Sequence, residues 1–325
     1  MIISKTPLRV SFAGGGSDFK DYYKKKYGAV LSVAVDKYIY VTVNKKFDDL
    51  IRLSYSHTEI VDDVEKIEHN LIREAMKLTG VTKGVDISYM SDMLPAREGT
   101  GLGASSALAV GILNALHAFR GERVPTSKLA EEAAMIEIEI LGHPMGKQDH
   151  YPAAFGNLNF IKFNSDETVS VEPIICKSET KSELNNNLIL FYSGINSSSS
   201  AILPEQKEKI EANCQFLDKA VQLAEELKKS FCNNDLKNFG SVLHQGWELK
   251  QKYASNISNH LINTCYQKAL SAGAEGGKIL GSGGGGFLLL YCKPENQNKV
   301  RHALSNLKET SFKFESEGSK IVYVD

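Results

Sequence analysis

Three side chains in this sequence have the types that moving a proton beside a developing negative charge requires: Arg9, Glu137 and Asp149. Arg9 lies in Leu8-Arg9-Val10-Ser11-Phe12-Ala13, an alternating stretch that reads as a half-buried strand. A guanidinium there either forms a structural ion pair or stabilises an oxyanion. Asp149 ends the polar loop Gly142-His143-Pro144-Met145-Gly146-Lys147-Gln148-Asp149. An acid in such a frame either shapes a turn or accepts the proton of a hydroxyl. Glu137 has Ala133, Ala134, Ile140 and Leu141 as helical neighbours, so if buried it needs an ion partner or a metal. Glu139, with Met135 and Ile136 nearby, is a comparable position, and helical spacing alone does not separate the two. The spacing of His143 and His150 matches no zinc pattern, so both read as supporting or structural side chains.

Glycine placement points to what this chemistry acts on. Thirteen of the 26 glycines fall in three short segments: Gly14 to Gly16; Gly99, Gly101 and Gly103; and Gly276, Gly277, Gly281 and Gly283 to Gly286. Glycine is entropically costly, so clusters need a reason. Tight turns are one. Close approach of backbone N–H groups to an anion is the other, and three clusters beside strand or helix signals favour it. In Gly99-Thr100-Gly101-Leu102-Gly103-Ala104-Ser105-Ser106 the glycines lead straight into a helical pattern at Leu108, Ile112, Ala115, Leu116 and Phe119. One serine would suffice to cap that helix. Two serines after alternating glycines favour a phosphate site, with the hydroxyls donating to phosphate or ligating Mg²⁺.

The elements that must position these groups follow from periodicity. Strands are expected at Ala29 to Val35 and Tyr38 to Val43, with a turn at Asp36-Lys37, and at Val85 to Tyr89. Helices are expected over Asp63 to Leu78 and from Pro125 to about Leu141. The polar stretch Lys177 to Asn187 reads as the boundary between two domains, 1–184 and 185–325. Beyond it come a strand at Leu188 to Tyr192 and a long amphipathic helix starting at Pro204 and striped by Ile210, Cys214, Leu217, Val221, Ala224 and Leu227. Further helices follow near 235–253 and 258–272. Strands flank Gly281 to Gly286, and a last helix with strands at Phe312–Phe314 and Ile321–Val324 closes the chain. The class is α+β.

Composition bounds the partners. With 38 Lys+Arg against 39 Asp+Glu, the net charge is -1, which disfavours nucleic acid or an acidic membrane as partner. The five cysteines form no C-x-x-C pair, which suits a reducing compartment. There is no signal-peptide pattern and no apolar run long enough to span a bilayer, so a cytoplasmic chain is expected. Self-association as a homodimer is compatible with the sequence.

Neither the G-x-x-x-x-G-K-[ST] phosphate loop, nor G-x-G-x-x-G after the first strand, nor H-R-D and D-F-G strings occur. Instead, Pro7-Leu8-Arg9-Val10-Ser11-Phe12-Ala13-Gly14-Gly15-Gly16-Ser17-Asp18, Gly101-Leu102-Gly103-Ala104-Ser105-Ser106-Ala107 and Lys278-Ile279-Leu280-Gly281-Ser282-Gly283-Gly284-Gly285-Gly286, in this order, resemble the three motifs of the GHMP kinases. The resemblance spans nearly the whole chain.

It implies a two-domain α+β fold: a ribosomal protein S5 domain 2-like N-terminal domain and a ferredoxin-like C-terminal domain. It also implies ATP with Mg²⁺ as cofactors. ATP would lie over Gly99, Thr100, Gly101, Leu102, Gly103, Ala104, Ser105 and Ser106. Glu137, five residues before the glycine of the Gly142-His143-Pro144 turn, falls on the family's Mg²⁺ glutamate. The Mg²⁺ serine is Ser105 by ungapped matching and Ser106 by matching the Ser-Ser-Ala string. Asp149 falls on the catalytic aspartate and Arg9 beside the reacting hydroxyl. Asp18 falls on the sugar aspartate of galactokinase, and with Gly15, Gly16, Ser17, Gln148, Gly283, Gly284 and Ser197 it makes the expected acceptor site.

Two departures narrow the acceptor. Gly-Gly-Gly-Ser-Asp stands where galactokinase has a Glu-His pair, and the catalytic loop reads Gly-Lys-Gln-Asp. Both resemble the heptose phosphate kinase group and the fucokinase-type domains, which act on an anomeric hydroxyl. Gly15 and Gly16 are expected to open room for a larger sugar. Ser197 to Ser200, or less directly Lys147, are expected to hold a distal phosphate. The rivals are another GHMP kinase of fucokinase, galactokinase or mevalonate type, and a catalytically silent sugar or nucleotide sensor on the same scaffold.

Overall fold

The computed structural model describes residues 1–93, 101–196 and 199–325. The chain opens with strand β1 (Ile2–Ala13), the short helix α1 (Lys20–Tyr23) and strand β2 (Gly28–Lys45). β1 and β2 run antiparallel from Ile2 opposite Val43 to Ala13 opposite Leu31. The expected turn at Asp36-Lys37 is absent. Tyr38 faces Pro7 and Val35 faces Leu8, so the two polar residues form a bulge inside one long strand. A bulge bends a strand without ending it. Its far end is held where the Asp36 amide donates to the Lys313 carbonyl.

β3 (Ile51–Ser54), β4 (Thr58–Val61), α2 (Asn70–Thr79) and β5 (Val85–Ser91) follow, and β5 pairs with the second half of β2. The helix expected from Asp63 is a short 3-10 turn at Val64–Lys66, a break, and then α2. Helix α3 (Ala104–Phe119) packs across β1 and β2, and α4 (Thr126–Ala134) follows it. Gly111 allows the close approach: a Cβ there would lie 2.8 Å from the Thr6 hydroxyl. α5 (His150–Phe155), β6 (Leu158–Phe163) and β7 (Val169–Pro173) complete this half, with β6 on the first half of β2.

The Asn-rich stretch expected as a boundary is helix α6 (Ser178–Asn187), which runs directly into β8 (Leu188–Tyr192). The division at 184/185 therefore falls within a helix. The single long helix expected from Pro204 is two: α7 (Ser199–Glu208), which contains Pro204, and α8 (Cys214–Cys232). Between them Asn213 turns inward and donates to the Tyr253 carbonyl at 2.9 Å. α9 (Phe239–Lys250), α10 (His260–Ser271), β9 (Gly276–Ile279), β10 (Phe287–Tyr291), α11 (Pro294–Ala303) and β11 (Lys308–Glu309) follow. The second sheet has the order β11-β8-β10-β9 and is antiparallel.

The last strand does not join that sheet. Phe314 bridges Val35, and β12 (Lys320–Val324) pairs antiparallel with β1, so the tail of the 185–325 stretch belongs to the first sheet. The first sheet thus has eight strands. Between the layers Phe12 meets Phe239 edge-on at 5.2 Å, and Phe239 meets Tyr291 at 5.1 Å. This aromatic core welds the end of β1 to the second half, directly beneath the glycine segments.

Candidate active site

The second and third glycine segments meet. A Cβ on Gly281 would lie 2.4 Å from the Cα of Gly101, so the second and third segments touch backbone to backbone. Gly101 and Gly103 have φ of +77° and +74°, conformations that favour glycine. Gly103 delivers the chain into α3, whose N-terminus carries Ala104, Ser105 and Ser106. Leu102 is buried and accepts the Arg9 amide at 3.1 Å. The expected residues Gly99, Thr100 and Ser197 lie outside the described residues.

Glu137 and Glu139 separate by burial. Glu137 is 0% exposed, while the Glu139 side chain is 60% exposed. The cause is a local irregularity: after α4 the chain makes a π turn over Met135–Ile140, with the Leu141 amide bonding the Ile136 carbonyl. Such turns alter helix facing and recur at functional sites. The Glu137 carboxylate accepts from Ser105 on one oxygen and from Ser106 at 2.7 Å and His150 at 2.8 Å on the other. Burial alone would raise its pKa. The imidazoles of His143 and His150 and the hydroxyl of Ser105 outweigh that and hold it far below the usual carboxylate range. His150, itself buried, is pulled upward by Glu137 against the opposing effect of burial. Three hard oxygen donors, Glu137, Ser105 and Ser106, thus face one spot beside a helix N-terminus. That set suits Mg²⁺, which binds through few protein oxygens and keeps room for phosphate and water.

Arg9 and Asp149 form a bidentate pair, Nε to Oδ1 at 2.7 Å and Nη2 to Oδ2 at 2.6 Å. The Arg9 side chain is 5% exposed and that of Asp149 16%. Nη1 of Arg9 also donates to the Gly101 carbonyl at 2.7 Å, which ties the pair to the glycine loop ahead of Ser105.

Asp18 accepts from the Gly16 amide at 2.9 Å, the Gln148 amide at 3.1 Å and Gln148 Nε2 at 3.0 Å. Burial, and then the neighbouring charge of Asp149, push it up to about 6. Gly146 makes this contact possible, since a Cβ there would sit 2.0 Å from Asp18 Oδ2. A Cβ on Gly15 would meet the Gln148 amide at 3.4 Å.

Several expected acceptor residues behave differently. Ser17 is buried and its hydroxyl is used inside the loop, donating to the Gly14 carbonyl at 2.7 Å and accepting the Ala29 amide at 3.0 Å. Its hydroxyl is committed to the loop's own backbone. Gly16 opens no room. Gln206, Leu217 and Tyr253 already lie 2.9–3.2 Å from where its Cβ would be, so the second half of the chain fills that space. The Gly284 amide is spent on the Ile257 carbonyl at 2.8 Å, and a Cβ on Gly283 would lie 2.7 Å from the same oxygen. These two glycines shape a tight turn against Ile257. Gly276 packs on the Gly240 carbonyl, so this part of the cluster serves helix–strand contact. Lys147 extends to the Glu167 carbonyl at 3.4 Å and over the Tyr23 ring at 4.9 Å. Ser199 and Ser200 open α7 and are exposed.

The sequence reading passed over Gly146, and it gave no role to Lys250 at the end of α9. A basic residue in the last turn of a helix is an ordinary feature, so Lys250 gave no signal.

Comparison with known proteins identifies the family. The "GHMP kinases N terminal domain" pattern matches residues 64–157 and the "GHMP kinases C terminal" pattern residues 205–309, together more than half of the chain. The chain is 29% identical to D-glycero-alpha-D-manno-heptose 7-phosphate kinase of Campylobacter jejuni, covering 98% of each chain. It is 24% identical to the galactokinase of Pyrococcus furiosus, over 96% of this chain and 94% of that one. Among solved structures, a D-glycero-D-manno-heptose 1-phosphate kinase from Bacteroides thetaiotaomicron superposes with a TM-score of 0.82 at 26% identity, covering 100% of both chains. A putative sugar kinase from Campylobacter jejuni gives 0.76 at 26% identity, covering 99% of this chain and 98% of that one.

The chain belongs to the GHMP kinases, with the N- and C-terminal domains of that family. It is an ATP-dependent phosphotransferase of the sugar-kinase type, with a hydroxyl group of a small molecule as acceptor.

Proposed function

We propose that this kinase transfers the γ-phosphoryl group of ATP to the anomeric hydroxyl of a heptose, D-glycero-D-manno-heptose 7-phosphate, giving the 1,7-bisphosphate. Such a product suits nucleotide-sugar or surface-polysaccharide synthesis. The observation that carries the reading is the Arg9–Asp149 pair, anchored on Gly101 and facing Asp18 across the Gly146–Gln148 turn. The 29% identity to the Campylobacter jejuni enzyme along 98% of the chain supports the heptose. The Bacteroides relative is named for the 1-phosphate instead, so the acceptor's existing phosphate is the point to test.

In this mechanism the triphosphate lies over Gly101 to Ser106, where helix amides without intrahelical partners meet anionic oxygens. Glu137 with Ser105 or Ser106 would hold Mg²⁺, which would supply charge neutralisation to the triphosphate. Asp18 and Gln148 accept and donate to sugar hydroxyls. Asp149 orients the anomeric hydroxyl and takes its proton as the new O–P bond forms and the bond from the γ-phosphorus to ADP breaks. Arg9 stabilises the charge on the migrating group. Ser199 and Ser200 are the described residues offered to a distal phosphate. On the same reading the enzyme works in the cytoplasm on small molecules, without nucleic acid or membrane.

The test is an acceptor panel with ADP detection and product NMR: heptose 7-phosphate, heptose 1-phosphate, plain heptose, fucose, galactose and mevalonate. The 7-phosphate should be turned over with the highest kcat/KM, with phosphorus appearing at C1. Preference for another acceptor, or no acceptor-dependent ADP, would remove the proposal.

A further inference from the structure

Two lysines sit among the glycine segments without an acidic partner. Lys250 closes α9, and its Nζ donates to the Ile279 carbonyl at 2.9 Å and the Gly281 carbonyl at 2.5 Å. Lys278, on β9, donates to the Phe12 carbonyl at 3.3 Å at the end of β1. Among the described residues neither is within ion-pair distance of a carboxylate. Burial is the main force on both amines. It drives Lys250 well below the ordinary lysine range, with Lys278 and Arg9 pushing the same way and Asp149 opposing, and it drives Lys278 down to about 7, with Arg9 adding to it. Lys250 is half-buried and every hydrogen bond of its amine goes to a backbone carbonyl, so what it supplies here is its donors.

The carbonyls it holds matter. Gly281 rests on Gly101, Gly101 accepts from Arg9, and Arg9 grips Asp149. One continuous chain of contacts therefore runs from the end of α9 through the third and second glycine segments to the Arg9–Asp149 pair.

We propose that Lys250 is a positioning residue for phosphoryl transfer: it ties the carbonyls of Ile279 and Gly281 and so holds the third glycine segment against Gly101, fixing Arg9 and Asp149. This rests on the phosphoryl-transfer reading of the same site. Small displacements at such a site cost large factors in rate, whereas acceptor affinity, set at Asp18 and Gln148, is little affected.

Two variants test it, each compared with the parent on the acceptor that the parent uses best. Lys250→Met removes the donors and keeps the length, and Lys250→Gln keeps a donor without the charge. The expected result is a kcat about 10- to 100-fold lower for K250M with acceptor KM within about threefold, and recovery by K250Q to within about fivefold of the parent. Overturning results are a K250M kcat within about twofold of the parent, a K250Q as poor as K250M, or an effect confined to acceptor KM. A K250M that no longer unfolds cooperatively also counts against the proposal, because the lysine then holds the fold. A parent inert toward every acceptor sinks the functional reading, whereas an active parent with an unchanged K250M sinks only this inference.

Discussion

Arg9 and Asp149 are 140 positions apart and meet through two hydrogen bonds of 2.7 and 2.6 Å. A parallel-fork contact fixes both planes at once, so the carboxylate is held in one orientation. Asp149→Asn keeps the shape and loses the anion. It should lower kcat about 100- to 10,000-fold while ATP and acceptor still bind, checked by single-turnover phosphoryl transfer alongside calorimetric titration. Near-parental turnover would take Asp149 out of the reaction.

Asp18 gives a pH signature. Its pKa is pushed up to about 6 from 3.8, so the folded state holds the proton more tightly than the unfolded chain. Stability should therefore fall as pH rises from about 4 to about 6, and the cost is fully present above that. Asp18→Asn should remove this slope and gain up to about 3 kcal/mol at neutral pH, less what its hydrogen bonds supplied. Urea melts at two pH values read this directly. The same variant should raise acceptor KM and leave ATP KM alone.

Lys278 carries the opposite pH dependence. Its folded pKa lies near 7 against 10.5 when free, so the unfolded chain binds more protons between those values. Stability without ligand should climb as pH rises from about 7 toward about 10. Lys278→Met should flatten the climb, seen as a thermal midpoint that no longer moves over this range.

Glu137→Gln should weaken Mg²⁺ dependence. A neutral amide cannot supply the charge, and replacing ligands or their supports costs about 10- to 100-fold in metal affinity. Titration of Mg²⁺ in the kinase assay measures the shift, and chelation should abolish parental turnover. A parental Mg²⁺ curve in the variant would remove Glu137 from the metal site.

Gly146→Ala drives a Cβ to 2.0 Å from Asp18 Oδ2 and 2.8 Å from the Asp18 carbonyl carbon, so the backbone itself must move. Acceptor KM should rise by about tenfold or more with ATP KM nearly unchanged. Equal changes in both constants would contradict a loop devoted to the acceptor.

How legible was this site beforehand? Helix α3 was, because Leu108, Ile112, Leu116 and Phe119 recur at its period and the glycines mark its start. So was the meeting of the second and third glycine segments, carried by the family's motifs. The choice of Glu137 over Glu139 was carried by the family's spacing. Its physical basis, the π turn at Met135–Ile140, leaves no mark in a hydrophobic pattern. Gly16 misled for a related reason. Its apparent empty space is occupied by Gln206, Leu217 and Tyr253, nearly two hundred positions or more away, and no local reading contains them. Ser17 belongs to the first motif of the resemblance, yet its hydroxyl is taken up by Gly14 and Ala29. The bulge at Asp36-Lys37 and the pairing of β12 with β1 depend on partners that strand propensity does not name.

That last pairing sets an order on biosynthesis. Until Lys320–Val324 has been made, the Ile2–Lys5 end of β1 has one flank without a mate. An open flank of this kind is a template for a neighbouring strand, and β12 fills that place from within the same chain.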